Sequence, residues 1–189
     1  MYEVEIKVRA DHDDVRGALE EREAGALNTG TQADTYYDAP MREFAETDEA
    51  LRVRHERADS GDGRSSNRDA ETTKLTYKGP LVDERSKTRE EHETVVEDGA
   101  ALEATLSALG FEPVATVEKR RERFALDGYT VTLDTVTDLG EFVEVETEAE
   151  EEEIDEAREG AVAVLESLGL DPATGIRTSY LELLLDDAS

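Results

Sequence analysis

The first residues of the chain combine side chains that can hold metal ions and phosphates with the spacing of a β-strand. Residues 3–8 read EVEIKV, in which Glu3, Glu5 and Lys7 alternate with three apolar residues. Because successive side chains of a strand point to opposite faces, the three charged groups share one face. Carboxylates bind hard divalent cations, and a lysine ammonium binds phosphate oxygens. Taken alone, the pattern also fits a solvated edge strand that is protected by charge.

The same one-sided charge recurs in the later segments that alternate with a period of two. These faces carry almost no neutral polar residues, and together with the face of the first strand they hold four of the five lysines of the chain. An ordinary solvated face would not concentrate the few lysines in this way, so we infer a closed or nearly closed sheet with this face inside. The residues on these faces are Arg52 and Arg54; Lys74 and Lys78; Arg89, Glu91 and Glu93; Lys119 and Arg121; Asp134; Glu144 and Glu146.

The charges on this face indicate which ligand such a sheet holds. Together with the first strand, they comprise eight basic and seven acidic groups, and buried charges without a partner are costly. Carboxylates that cluster without histidine or cysteine favour Mg²⁺ or Mn²⁺. Two such ions bring the interior to about +5, which suits a triphosphate of about −4. Metal carboxylates beside phosphate-binding cations are what phosphoryl or nucleotidyl transfer requires.

The elements that must position these residues form one domain, residues 1–189, of the α+β class. A helix is predicted after Asp98, which is a suitable N-cap, and Gly110 is a suitable stop. A longer helix is predicted over residues 151–170, with an acidic first turn that favours the helix dipole. The Gly/Ser-rich segment at residues 58–72 is predicted to be a loop. No linker divides the chain.

The composition argues against several classes of protein. The chain has 49 acidic and 21 basic residues and a net charge of −28, which is opposite to the basic face of a nucleic-acid-binding protein. Cysteine is absent, which excludes disulfides and thiolate metal sites. We find neither a signal peptide nor the roughly 18 apolar residues of a membrane span, and we expect a cytoplasmic protein without a membrane partner. The acidic surface indicates a halophilic protein adapted to a cytoplasm of high salt.

The motifs together resemble the CYTH, or triphosphate tunnel metalloenzyme, superfamily. The resemblance spans almost the whole chain in order and spacing, and it looks most like the class IV adenylate cyclases, here of a haloarchaeal type. It implies an eight-stranded antiparallel closed β-tunnel, or barrel, with a charged lumen and flanking helices. The motifs that carry it are EVEIKV, QADTYYD, LRVR, KLTYKGP, TREEHE, VEKRRERF, LDTVTDLGEFVEVE and TSYLELL.

The resemblance also implies a role for each charged residue. The predicted metal ligands are Glu3, Glu5, Glu91, Glu93, Asp134, Glu144 and Glu146, which would hold Mg²⁺ or Mn²⁺, as two ions. The predicted triphosphate ligands are Lys7, Arg52, Arg54, Lys74, Lys78, Arg89, Lys119 and Arg121. The predicted catalytic residues are Glu3, Glu5, Lys7, Lys78, Glu144 and Glu146.

Three functions fit this resemblance. The first is an adenylate cyclase that converts ATP to cyclic AMP and pyrophosphate, and the second is a triphosphatase that hydrolyses the terminal phosphate of an inorganic or organic triphosphate. The third is a non-catalytic module that binds nucleotide or polyphosphate. The chain has no Trp, whereas thiamine triphosphatases of the superfamily stack a Trp on thiamine. The sequence leaves two roles open for Tyr180, closing a tunnel mouth or packing a helix, and it leaves the oligomeric state open, a homodimer included.

The acidic surface predicts that stability depends on salt. Near 1 M salt the Debye length falls to about 3 Å, so KCl screens repulsion among surface carboxylates. We expect the melting temperature to rise by roughly 10 °C between dilute buffer and molar KCl, which corresponds to about 3 kcal/mol. A melting temperature that is unaffected by removing KCl would contradict the halophilic interpretation.

Overall fold

A barrel of eight antiparallel strands forms the centre of the protein. The computed structural model describes residues 2–59, 71–82 and 87–187. The greater part of the loop predicted at residues 58–72, namely residues 60–70, lies outside the described residues. None of the helices in the described part of the chain is long and apolar enough to cross a membrane.

The strands close on themselves, which confirms the predicted fold class. Their bounds are β1 (Tyr2–Arg9), β2 (Gly25–Asp38), β3 (Ala50–Ala58), β4 (Glu71–Leu81), β5 (Lys87–Val96), β6 (Glu112–Leu126), β7 (Tyr129–Val136) and β8 (Gly140–Ala149). Around the barrel they follow the order β1-β5-β4-β3-β2-β6-β7-β8. Closure removes the unpaired edges that an open sheet would present.

The register of the strands brings the charged residues side by side on the inner face. Across β1 and β8, Glu5 lies opposite Glu146 and Lys7 lies opposite Glu144. A slip of one residue would turn every one of these side chains to the outer face. Further pairs of this kind are Arg54 with Asp34, Arg54 with Lys74, Lys78 with Glu91, and Arg121 with Asp134.

The outer face of β1, β7 and β8 is apolar and is covered by two helices, α1 (His12–Glu21) and α3 (Ile154–Ser167). Val143 and Val145 of β8 and Leu165 of α3 are fully buried in this layer. Burial of aliphatic side chains at about 25 cal/mol per Å² makes this layer the main apolar core. It holds rigid the two strands that carry EVEIKV and EFVEVE.

A third helix, α2 (Gly99–Ala108), packs on the outer face of β3. The Asp98 side chain accepts a hydrogen bond from the Ala101 backbone N–H at 2.9 Å, which confirms Asp98 as the N-cap. Gly110 follows with a φ of 88°, a left-handed conformation that favours glycine at a helix end.

The last helix, α4 (Tyr180–Asp187), lies across one end of the barrel. Its apolar residues pack against Val117, Val136 and Phe142. By strand alternation these three side chains share the inner face with the charged residues of β6, β7 and β8. The C-terminal helix therefore covers this end of the barrel by packing against side chains of its inner face.

Candidate functional site

The barrel encloses a cavity of about 230 Å³ that is lined by most of the predicted site residues. Seven of the eight predicted triphosphate ligands line it, namely Arg52, Arg54, Lys74, Lys78, Arg89, Lys119 and Arg121. Six of the seven predicted metal ligands also line it, namely Glu3, Glu5, Glu91, Glu93, Glu144 and Glu146. The exceptions are Lys7 and Asp134, which are buried against Tyr180 of α4.

Three carboxylates from two neighbouring strands could hold a metal ion. One oxygen from each of Glu3, Glu5 and Glu146 lies within 4.8 Å of the others. Burial, together with the neighbouring carboxylates, raises the pKa of Glu146 to about 7, although Arg121 opposes the shift. A set of converging oxygen ligands whose negative charges repel one another fits a hard divalent cation such as Mg²⁺ or Mn²⁺.

Lys78 lies beside this cluster and bridges two of the predicted ligands. Its Nζ contacts the Glu3 carboxylate and lies 2.8 Å from Glu91 Oε2. Burial opposes ionisation of Glu3, but Lys78 and further hydrogen bonds lower the pKa of Glu3 to about 2. The pKa of Glu91 is raised by burial and by the nearby Glu3 carboxylate. Lys78 therefore keeps Glu3, one of the three carboxylates of the candidate metal site, ionised.

Asp34 of β2 is a buried charged residue of the interior that the sequence analysis does not single out. It is fully buried, and its two oxygens accept hydrogen bonds from Arg54 Nε and Nη2 at 2.6 and 2.7 Å. Arg52 Nη1 and Lys119 Nζ each lie 3.5 Å from Asp34 Oδ2. Although burial disfavours the charge, the three cations hold the pKa of Asp34 well below its ordinary value. The available signal was its place at alternate spacing in QADTYYD, between Gln32 and Tyr36.

A second buried group joins β6, β7 and β8. Arg121 Nε donates to Asp134 Oδ1 at 2.7 Å, and Arg121 Nη2 contacts Asp134 Oδ2 and lies 2.6 Å from Glu144 Oε2. These anions raise the pKa of Arg121 despite its burial. Burial and the nearby Arg121 lower the pKa of Lys119 to about 8. Asp134, predicted as a metal ligand, is thus engaged by Arg121 in this structure.

Cations and carboxylates are close to balance in the described part of the interior. Glu56 and Arg123 extend the predicted alternation by one position in β3 and β6, and their side chains lie 3.4 Å apart, Arg123 Nη1 to Glu56 Oε1. Glu56 also faces Lys74, at 3.8 Å. With Arg123, Asp34 and Glu56 added, the predicted set comprises nine cationic and nine acidic side chains, and the carboxylates of Asp48, Glu49 and Glu182 also line the cavity. An interior of this kind has little net positive charge to compensate a bound polyanion.

Arg89 occupies the rim of the cavity. It donates through Nη1 to the backbone carbonyls of Asp48 and Gly79 at 3.2 and 3.1 Å. Its Nη2 lies 3.4 Å from Asp48 Oδ1. In this structure Arg89 therefore ties the segment before β3 to β4 and β5, and its assignment to the triphosphate stays a prediction.

The family of the chain follows from comparison with known proteins. A family model described as the CYTH domain matches residues 1–180. The chain belongs to the CYTH family. CYTH proteins act on triphosphate substrates, and the match covers every strand of the barrel.

Individual relatives agree with this assignment. A Methanocaldococcus jannaschii protein named "Putative adenylate cyclase" is 36% identical over 185 residues, 97% of this chain and 98% of the relative. A solved structure from Pyrococcus horikoshii is 39% identical and covers 98% of this chain and 99% of its own, with a TM-score of 0.86. A Hippeastrum structure, described as a "putative adenylyl cyclase" with a dominant triphosphatase activity, shares the fold at 15% identity and a TM-score of 0.58. It covers 99% of this chain and 95% of its own.

Replacing Asp34 tests whether it holds the three cations together. In Asp34→Asn the shape is kept but the buried cations lose their counter-charge, so we expect the free energy of unfolding to fall by about 3 kcal/mol at pH 7. Because the carboxylate stays ionised well below its ordinary pKa of 3.8, the loss should persist from pH 8 down to about pH 4. Denaturant unfolding of both proteins at several pH values measures this difference in the free energy of unfolding.

The matched control is Asp14→Asn, which makes the same chemical change on the exposed face of α1. We expect it to change stability by less than about 0.5 kcal/mol. Equal stability of Asp34→Asn and the wild-type protein would show that Asp34 does not compensate these cations.

Proposed function

We propose that the chain is an enzyme that cleaves a triphosphate in the barrel cavity with the help of a divalent cation. The observation that carries the proposal is that one carboxylate oxygen from each of Glu3, Glu5 and Glu146 lies within 4.8 Å of the others, in a cavity that lysines and arginines also line. Few ligands other than a metal-bound polyphosphate satisfy both halves of such a site.

The cations of the cavity would bind the phosphate oxygens. Arg52 lines the cavity, and its Nε has no hydrogen-bond partner among the described residues. An orphaned guanidinium donor on a cavity wall suits a bound anion. Lys119 would add an ammonium that a phosphate stabilises in its charged form, because anion binding opposes the depression of its pKa.

Mg²⁺ or Mn²⁺ fits the carboxylate cluster, and family members generally depend on divalent metals. Glu3, Glu5 and Glu146 would hold the ion, with Glu144 and Glu91 nearby in the same cavity. When bound, such an ion supplies charge neutralisation and polarises phosphate oxygens. With two ions, the balanced interior would match a triphosphate of about −4.

The first candidate reaction is cyclisation of ATP, which is supported by the name of the Methanocaldococcus jannaschii relative. In this reaction the ribose 3′-oxygen forms a bond to the α-phosphorus. The bond from that phosphorus to the bridging oxygen breaks, and pyrophosphate leaves. The proton of the 3′-hydroxyl passes to a base or to solvent.

The second candidate is hydrolysis of the terminal phosphate. Two observations support it: the dominant triphosphatase activity described for the Hippeastrum protein, and the size of the cavity. About 230 Å³ is less than the roughly 300–1,000 Å³ of pockets that enclose drug-sized ligands. The enclosed part of the site therefore suits a phosphate chain better than a whole nucleotide.

An assay of products tests the proposal and separates the two reactions. ATP and tripolyphosphate are incubated with the protein and Mg²⁺ or Mn²⁺ in high salt, and cyclic AMP, pyrophosphate and orthophosphate are quantified. We expect turnover of at least one substrate, and a loss of at least about 100-fold in Glu146→Gln, because the amide keeps the shape but removes a charged ligand.

The control for this substitution is Glu152→Gln, on an exposed residue of the turn before α3, which should keep wild-type turnover. Cyclic AMP as the product would identify the cyclase, and orthophosphate from the terminal position would identify the triphosphatase. Binding without any turnover would contradict the proposal and leave a non-catalytic polyphosphate-binding module.

A further inference from the structure

Tyr180, at the start of α4, contacts both predicted site residues that do not line the cavity. Its hydroxyl lies 3.2 Å from Asp134 Oδ2 and donates to it, and its ring centroid lies 4.2 Å from Lys7 Nζ. The same ring lies 5.2 Å from Lys119 Nζ. Tyr180 is 6% exposed and itself lines the cavity. One aromatic side chain from the last helix thus contacts residues of β1, β6 and β7.

The backbone around Tyr180 also binds Lys7. The Lys7 ammonium donates to the Thr178 carbonyl at 2.6 Å, and the Ile176 N–H donates to the Lys7 carbonyl at 2.7 Å. The lysine of EVEIKV is therefore held by a segment that lies about 170 residues later in the chain. This arrangement fixes a charged side chain whose long aliphatic stem is flexible in solution.

Two ammonium groups near one another in a buried place repel, and an aromatic ring is a suitable neutral partner for both. The face of a tyrosine ring attracts a cation within about 6 Å, most strongly where water is excluded. A carboxylate in the same place would also hold the lysines but would cancel the positive charge that a phosphate requires. The ring holds both ammonium groups without adding to the negative charge of the carboxylates already near Lys119, those of Asp34 at 3.5 Å and Asp134 at 4.0 Å.

We infer that Tyr180 is a positioning residue of the phosphate site, whose ring holds Lys7 and Lys119 and so makes α4 part of the site. The inference rests on the proposed function, because it concerns the binding of a triphosphate in the same cavity. Tyr180 touches no reacting atom. It acts through the two lysines, and its hydroxyl steadies Asp134 in its pair with Arg121.

The alternative is that Tyr180 only packs α4 against the barrel, since its ring also meets Phe142 edge-on with centroids 4.9 Å apart. Leu183 provides the matched control. It belongs to the same helix and the same apolar cluster, so Leu183→Ala loosens α4 without removing the ring. A packing role predicts that both substitutions act alike, whereas a positioning role predicts that only loss of the ring weakens phosphate binding.

The test is calorimetric titration of the full-length protein with tripolyphosphate in the presence of Mg²⁺. Loss of the ring in Tyr180→Leu or Tyr180→Met should raise the dissociation constant about tenfold. Two further variants provide the comparison: Tyr180→Phe keeps the ring, and Leu183→Ala keeps Tyr180. Both should bind within about twofold of wild type, and melting temperatures report how far each variant is destabilised.

Three results would overturn the inference: wild-type affinity in Tyr180→Leu and Tyr180→Met, an equal loss of affinity in Leu183→Ala, or an equal loss in Tyr180→Phe. The last result would assign the effect to the hydroxyl instead of the ring. Failure of the wild-type protein to bind tripolyphosphate would contradict the proposed function itself, so the two failures are distinguishable.

Discussion

Mutual compensation of charge inside the barrel is the interaction on which the rest of the structure depends. Ionised side chains removed from water cost several kcal/mol each unless they are paired and hydrogen-bonded. The barrel meets this cost by placing cations and carboxylates in alternation: Asp34 with Arg54, Arg121 with Asp134, and Lys78 with Glu91. The apolar layer under α1 and α3 provides the stability that holds such an interior closed.

Positive and negative charges are not evenly distributed in the cavity, and this uneven distribution determines which ligands the cavity can bind. At Asp34 three cations share one carboxylate, whereas burial and the neighbouring carboxylates raise the pKa of Glu146 to about 7. The cation-rich region around Asp34 can bind phosphate oxygens, and the carboxylate-rich region around Glu146 can bind a cation. A metal-bound triphosphate complements both places at once, which is why we favour it over a free metal ion or a free anion as the ligand.

The strands and most of the cavity were predictable because a period of two maps directly onto one face of a sheet. The positions of Arg52, Glu93 and Glu146 on the inner face can therefore be predicted from the sequence alone. Asp34 was not recognised because its neighbours at alternate positions, Gln32 and Tyr36, carry no charge. Strand alternation does not predict that Lys7 is buried against Tyr180, because this contact depends on where the C-terminal segment packs against the barrel. Contacts between segments so far apart in the chain leave no local pattern.

An interior in which cations and carboxylates are close to balance should bind a polyphosphate only together with a divalent cation. The most direct measurement is calorimetric titration of the wild-type protein with tripolyphosphate, once with Mg²⁺ or Mn²⁺ and once in EDTA. We predict that affinity falls by at least about 100-fold in EDTA, equivalent to about 3 kcal/mol. Equally tight binding in EDTA would contradict the claim.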